Sequence, residues 1–326
     1  MSSNQGSESS RNAIMYELGE YKGRVDSALT EIRESDVIQR IWDHDHTVWK
    51  PDPKEITNRL GWLHSPKEMK EKVGEIEAFA RAVRDDGIRQ ALVLGMGGSS
   101  LAPEVFSRTF GGDGDGIALD IVDTTDPDAI AAIGRNIDPA ATLFIVSTKS
   151  GGTVETLSAF KHFYNQMLAA VGEMKVGEHF VAITDPGSKL VTIAEQYRFR
   201  ATFLNDPNIG GRYSALSYFG LVPAALVGVD IGQLLARAGE MAADGREDCA
   251  MLGTVLGELA KAGRDKVTLV SSEQMISFGD WVEQLVAEST GKEGKGILPV
   301  VGEPLGDPDV YGEDRLFVFT ILPGDD

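Results

Sequence analysis

Apolar positions along the chain change their spacing as it proceeds. Between Ala13 and Arg33, the residues Ile14, Met15, Leu18, Tyr21, Val25, Leu29 and Ile32 recur every three or four positions, which predicts an amphipathic helix packed on something later in the chain. A similar pattern through Val73, Ile76, Phe79, Ala80 and Val83 predicts a helix over Lys67 to Asp86. Between the two, Ile38 to Trp49 is rich in aromatics until Pro51 and Pro53 break it. Beyond residue 90 short apolar runs without polar alternation take over: Ala91–Leu94, Ile117–Val122, Ala141–Ser147 and Phe180–Thr184. Such runs predict strands covered on both faces. Helices are expected between them, at Ala102–Phe110, Asp128–Arg135 and Leu157–Ala170. The alternation defines an α/β protein with a doubly wound parallel sheet, whose ligand crevice lies at the carboxyl ends of the strands. After a helix at Ala215–Val227 a second strand-helix pattern begins with Lys266–Val270 and continues in the helix from Trp281, which Gly291 ends. The Ser-rich first dozen residues read as disordered.

The segments that leave two of these strands carry the candidate chemistry. Ala91–Leu94 runs straight into Gly95, Gly97 and Gly98, then Ser99 and Ser100. Glycines there let backbone N–H groups approach an anion at the start of the next helix. The dinucleotide fingerprint G-x-G-x-x-G fails at its sixth position, Ser100, and no G-x-x-x-x-G-K-[ST] occurs. The third strand leads into Thr148-Lys-Ser-Gly-Gly-Thr-Val-Glu-Thr156, where Thr148, Ser150, Thr153 and Thr156 surround Lys149. Some of those hydroxyls can serve as helix caps, but four with a lysine are a dense donor set for a dianionic phosphate. The two loops are expected to face one crevice. Asp126 followed by Pro127 reads as a helix cap rather than a ribose-binding acid.

Charge narrows the partners. The 326 residues carry a formal net charge of −19, which argues against nucleic acid or an anionic membrane as the main partner. It leaves a small phosphorylated ligand open, since local groups dominate within a Debye length. No apolar run approaches a membrane span and no signal-peptide core opens the chain, so a cytoplasmic protein is expected. The single cysteine, Cys249, stands in a polar setting without a C-x-x-C partner. His44 and His46, flanked by Asp43 and Asp45, lack a third ligand, and on a helix they would point to different faces. Neither metal nor cofactor is called for.

Two further features suggest a reaction. Gly210-Gly-Arg-Tyr-Ser214 sets Arg212 at a glycine turn, and Gln284 and Glu288, four apart, share one helix face. As plain surface, Arg212 would be an ion-pair partner and Glu288 would pair with Lys292. Beside a sugar phosphate, a carboxylate at a helix end can act as a general base.

With Gly95-Met-Gly-Gly-Ser-Ser-Leu-Ala-Pro103, Thr148–Thr156, Gly210–Ser214 and Glu283-Gln-Leu-Val-Ala-Glu-Ser-Thr-Gly-Lys292 in this order, the chain resembles the glucose-6-phosphate isomerases, proteins of two sugar isomerase (SIS) domains. Trp42–Pro51 and Ile56–Trp62 look most like the isomerase part of fused transaldolase/glucose-6-phosphate isomerases. The resemblance implies aldose-ketose isomerisation of glucose 6-phosphate and fructose 6-phosphate through a cis-enediol, with Glu288 as base and Arg212 stabilising the enediolate. It places Gln284, Gly98, Ser99, Thr148, Lys149, Ser150 and Thr153 on the substrate and phosphate loops, and it implies a homodimer in the full-length form. The implied layout is an N-terminal helical extension (1–65), a first SIS domain (66–230) and an incomplete second one (231–326). The ring-opening histidine and C-terminal lysine of the family have no counterpart, since the last histidine is His179 and the last lysine Lys295, and Thr290 stands where asparagine is usual. The chain is therefore expected to be cut short within the second domain. The competing readings are a non-catalytic sugar-phosphate sensor and, more remotely, a nucleotide-dependent dehydrogenase.

Overall fold

The computed structural model describes residues 14–111 and 114–325; the Ser-rich start lies outside them. Five parallel strands form the first sheet in the order β2-β1-β3-β4-β5: β1 (Gln90–Gly95), β2 (Ala118–Val122), β3 (Thr142–Ser147), β4 (Phe180–Thr184) and β5 (Ala201–Leu204). The runs of β1, β3 and β4 are buried on both faces, as expected, whereas β2, at the edge of the sheet, alternates, with Ala118 and Asp120 exposed. Ala91, Val93, Leu143, Ile145, Val181 and Ile183 point into one core, while Leu92, Leu94, Phe144, Val146, Phe180 and Ala182 point into the other. The first core is closed by Val73–Asp85, Leu101–Phe110 and Tyr218–Val227, the second by Val154–Val171 and Lys189–Gln196. Full burial of each large side chain in these layers contributes about 2–3 kcal/mol.

The sequence pattern places most elements well and their ends less so. The helix expected from Ala13 begins at Lys22, because Gly19 adopts a left-handed φ of 50° just ahead of it. Lys67–Asp86 is divided by a tight turn at Met69–Lys72, with the regular helix only at Val73–Asp85. The helix expected at Ala215 starts at Tyr218; the preceding Gly211–Leu216 is a 3-10 turn, and the Ser217 hydroxyl accepts from the Phe219 N–H to cap the start. All ten residues of Tyr218–Val227 are buried. Asp126 does cap the next helix, accepting from Ala129 N–H, with Pro127 opening it.

A second sheet of three parallel strands follows, in the order β7-β6-β8, with β6 (Lys266–Ser271) flanked by β7 (Leu298–Val300) and β8 (Arg315–Thr320). Its helix Ile276–Thr290 packs across Leu101–Phe110 of the first unit. The N-terminal helix Lys22–Glu34 lies on Arg246–Lys261, where Val25 joins Val255 and Leu259 and Arg24 pairs with Glu258 at 2.7 Å. No helix among the described residues is long and apolar enough to cross a membrane.

Candidate functional site

β1 and β3 are neighbours in the sheet, and from them the chain winds to opposite sides, so the loops that leave them flank the switch point where open α/β sheets bind ligands. Gly95 pairs in register with Ser147, which sets the two loops side by side. In the first loop Gly97 takes a φ of 56° and Gly97–Ser99 forms a 3-10 turn. Ser100 is fully buried and its hydroxyl donates to the Gly97 carbonyl at 2.9 Å. The residue that departs from the dinucleotide fingerprint thus closes the turn from within. Gly98 tolerates no side chain, because a Cβ there would lie 2.1 Å from the Gly211 carbonyl oxygen. Ser214 seals this junction by donating to the Gly211 carbonyl at 2.7 Å. Ser99 lies in the same turn, half-buried.

In the second loop the Thr148 and Thr153 hydroxyls are 2.8 Å apart, and Ser150 Oγ accepts from the Gly152 N–H. Thr153 opens the helix Val154–Val171 without a side-chain cap. One turn in, the buried Thr156 hydroxyl has no partner among the described residues. Uncapped amides and hydroxyls at a helix start suit an anion. Lys149, expected to point toward phosphate, instead forms an ion pair with Asp185 and donates to the Pro207 carbonyl at 2.8 Å. It ties the second loop to the ends of β4 and β5. Burial pushes the Asp185 carboxyl above the usual range in spite of the Lys149 ammonium, and its other oxygen has no partner among the described residues.

The helix Ile276–Thr290 closes the crevice from the second unit. Gln284 lies against the first loop: a Cβ on Gly97 would sit 2.7 Å from Gln284 Nε2. One turn later the Glu288 carboxylate accepts from Arg212 Nη1 at 2.6 Å, with half its side chain exposed. The expected Glu288–Lys292 pairing is replaced by a bond from the Lys292 ammonium to the Glu288 backbone carbonyl, a C-terminal cap. Arg212 Nε donates to Ser289 Oγ at 2.8 Å. The structure thus gathers Gly98, Ser99, Arg212, Gln284 and Glu288, with Thr148, Ser150 and Thr153 on the adjoining loop.

Tyr213, Ser289 and Trp62 fall inside the Gly210–Ser214, Glu283–Lys292 and Ile56–Trp62 motifs, but the sequence pattern assigns them no role, and it does not single out Asp185; their spatial partners bring all four here. The histidines stand apart. The helix Val37–Trp42 ends before His44, which sits at a φ of 60° with its Nε2 3.0 Å from that of His64, while His46 meets the Pro51 carbonyl. A cavity of about 760 Å³ lies between the N-terminal helices and the pair Ile231–Asp244 and Arg246–Lys261. Ile32, Ile38, Trp42, Leu63 and Met241 make it apolar, so it offers little to a phosphate.

Fold and crevice together define a parallel-sheet α/β protein with a paired arginine and glutamate beside two loops at the carboxyl ends of its strands. The sequence from residue 45 to 295 matches the family model described as phosphoglucose isomerase. The chain is 32% identical over 272 residues to a glucose-6-phosphate isomerase of Rubrobacter xylanophilus, covering 79% of this chain and 62% of that protein. For the corresponding protein of Carboxydothermus hydrogenoformans the identity is 31% over 293 residues, with coverage of 83% and 58%. A solved glucose-6-phosphate isomerase of Chlamydia trachomatis superposes with a TM-score of 0.72 at 21% identity, over 85% of this chain and 61% of that one. A hypothetical protein from Thermus thermophilus superposes with a TM-score of 0.73 at 25% identity, over 94% of this chain and 68% of that one. The chain belongs to the phosphoglucose isomerase family. It spans about three fifths of the length of these curated relatives.

Proposed function

We propose that this chain carries the aldose-ketose isomerase chemistry of its family, interconverting glucose 6-phosphate and fructose 6-phosphate. The observation that carries the reading is the Glu288 carboxylate held by Arg212 at 2.6 Å, on a helix packed against the first glycine loop and the Gly211–Leu216 turn. With the open-chain sugar bound, Glu288 takes the proton from C2 as the aldehyde oxygen gains charge. The cis-enediolate that results passes the O2 proton to O1, which moves the charge to O2, and Glu288 returns its proton to C1 as the C2 carbonyl forms. Arg212 stabilises the enediolate oxygen, while Gly98, Ser99 and Gln284 contact the sugar. Thr148, Ser150 and Thr153, with the start of Val154–Val171, receive the phosphate. Lys149 shapes this loop through Asp185.

The reading extends to the layout of the chain as a helical extension to residue 65, a first SIS domain over 66–230 and part of a second over 231–326. A cytoplasmic setting, a homodimer for the full-length form and kinship with the isomerase part of transaldolase fusions belong to the same proposal; the kinship is supported by Trp42–Pro51 and Ile56–Trp62. The test is exchange of the C2 proton of glucose 6-phosphate into deuterated water, followed by NMR, beside Glu288→Gln. Exchange is expected for the parent chain and a fall of about a thousandfold in the variant. Phosphate-dependent thermal stabilisation without exchange would instead establish a binding module.

A further inference from the structure

Tyr213 meets the groups on which the Arg212–Glu288 pair depends. The Arg212 guanidinium lies over its ring, 4.8 Å from the centroid, and its hydroxyl is 2.8 Å from Ser289 Oγ. That oxygen already accepts from Arg212 Nε. Tyr213 in turn stacks on Trp62, with centroids 5.5 Å apart and ring planes 18° from parallel. Arginine is long and flexible, and a single ion pair to a half-exposed carboxylate would leave its plane free to rotate. Here Nε is fixed by Ser289, Nη1 by Glu288 and the flat face by an aromatic ring, itself held by a second one. Among the described residues Nη2 donates to no protein acceptor, which leaves it for the ligand. Resting on the isomerase reading, we infer that Trp62, Tyr213 and Ser289 are positioning residues that fix the plane of the Arg212 guanidinium, so that Nη2 faces the oxygen where charge develops. Trp62 comes from the 3-10 segment Gly61–His64, so a residue of the N-terminal region sets the geometry of a pair made by two distant elements.

A purely structural role for Tyr213 would lower stability without separating rate from affinity. The decisive measurement is the saturated C2-exchange rate together with the affinity for glucose 6-phosphate by calorimetry, for Tyr213→Phe, Ser289→Ala and the double variant. Each single change is expected to slow exchange about tenfold with affinity altered less than about twofold. The double variant is expected to be no slower than about tenfold, because both changes break one chain of bonds. Ser289→Thr, which keeps the hydroxyl, is expected to restore most of the rate. A hundredfold loss in the double variant, or affinity falling in step with rate, would overturn the inference. A second readout needs no turnover: the ¹⁵N–¹H signal of Arg212 Nε, assigned with Arg212→Lys. It is expected to be sharp in the parent chain and broadened in Tyr213→Phe and in Trp62→Leu. An unchanged signal in both overturns the positioning role. If the parent chain shows no exchange, the isomerase reading falls and this signal alone decides.

Discussion

Gly98 shows how little room single residues leave at this crevice. Since its Cβ would meet the Gly211 carbonyl oxygen at 2.1 Å, Gly98→Ala must push the first loop off the Gly210–Ser214 turn that carries Arg212. The expected outcome is a stability loss of about 2 kcal/mol by chemical denaturation and a C2-exchange rate at least about tenfold lower. Gly152→Ala is the matched control, because only the Ser150 Oγ lies near its Cβ, at 3.8 Å. Asp185 and Lys149 give an asymmetric prediction. Lys149→Met strands a mostly buried carboxylate and is expected to cost about 3 kcal/mol. Asp185→Asn is expected to cost about 1 kcal/mol, since it removes the charge whose burial is unfavourable. Denaturant midpoints of the two variants, with the double variant recovering most of the loss, check this. The glycine and hydroxyl loops were legible in the sequence because their chemistry is local. Ser289 and Tyr213 stand inside motifs the sequence shows, but their contact was not legible, because it is a bond between residues 76 positions apart.

The elements differ in how plainly the sequence announces them. β1, β3 and β4 are continuous apolar runs because both faces are covered, and such runs are hard to miss. β5 and β7 are only four and three residues long and bury one residue each, so neither a run nor an alternation exists to be seen. The first residues of helices were misplaced where a glycine or a 3-10 turn intervenes, as at Gly19 and Gly211–Leu216. The buried helix Tyr218–Val227 makes its own prediction. Burial, with the Glu75 carboxylate facing the phenol, pushes Tyr218 up to about 12. In the unfolded chain the same phenol ionises near pH 10, so the fold favours its protonated form. That contribution is complete below about pH 10 and is lost as pH rises toward 12. A spectrophotometric titration at 295 nm is expected to show a late tyrosine that Tyr218→Phe removes, with a shallower fall of stability over the same range.

For the whole molecule, the contrast between the two sheets is the governing fact. The central strands of the first are covered on both faces; β8, an edge of the second, leaves Phe319 62% exposed, and the exposed Ile321 and Leu322 follow it. Unpaired strand edges with apolar side chains associate readily. Light scattering of the purified chain is expected to rise with concentration, and Phe319→Lys to suppress that rise without moving the thermal midpoint by more than about 2 °C. The crevice, by contrast, is stitched from three separated stretches: Gly98 against Gly211, and Arg212 against Glu288 and Ser289. Joining them means closing loops of more than seventy residues, a cost that local contacts such as those of the first sheet do not bear. During synthesis the first sheet can therefore collapse while the last turn of Ile276–Thr290 is still to be made. On the isomerase reading, the Arg212–Glu288 pair is complete only when that turn docks, so exchange at C2 reports that the chain has folded at least as far as residue 290.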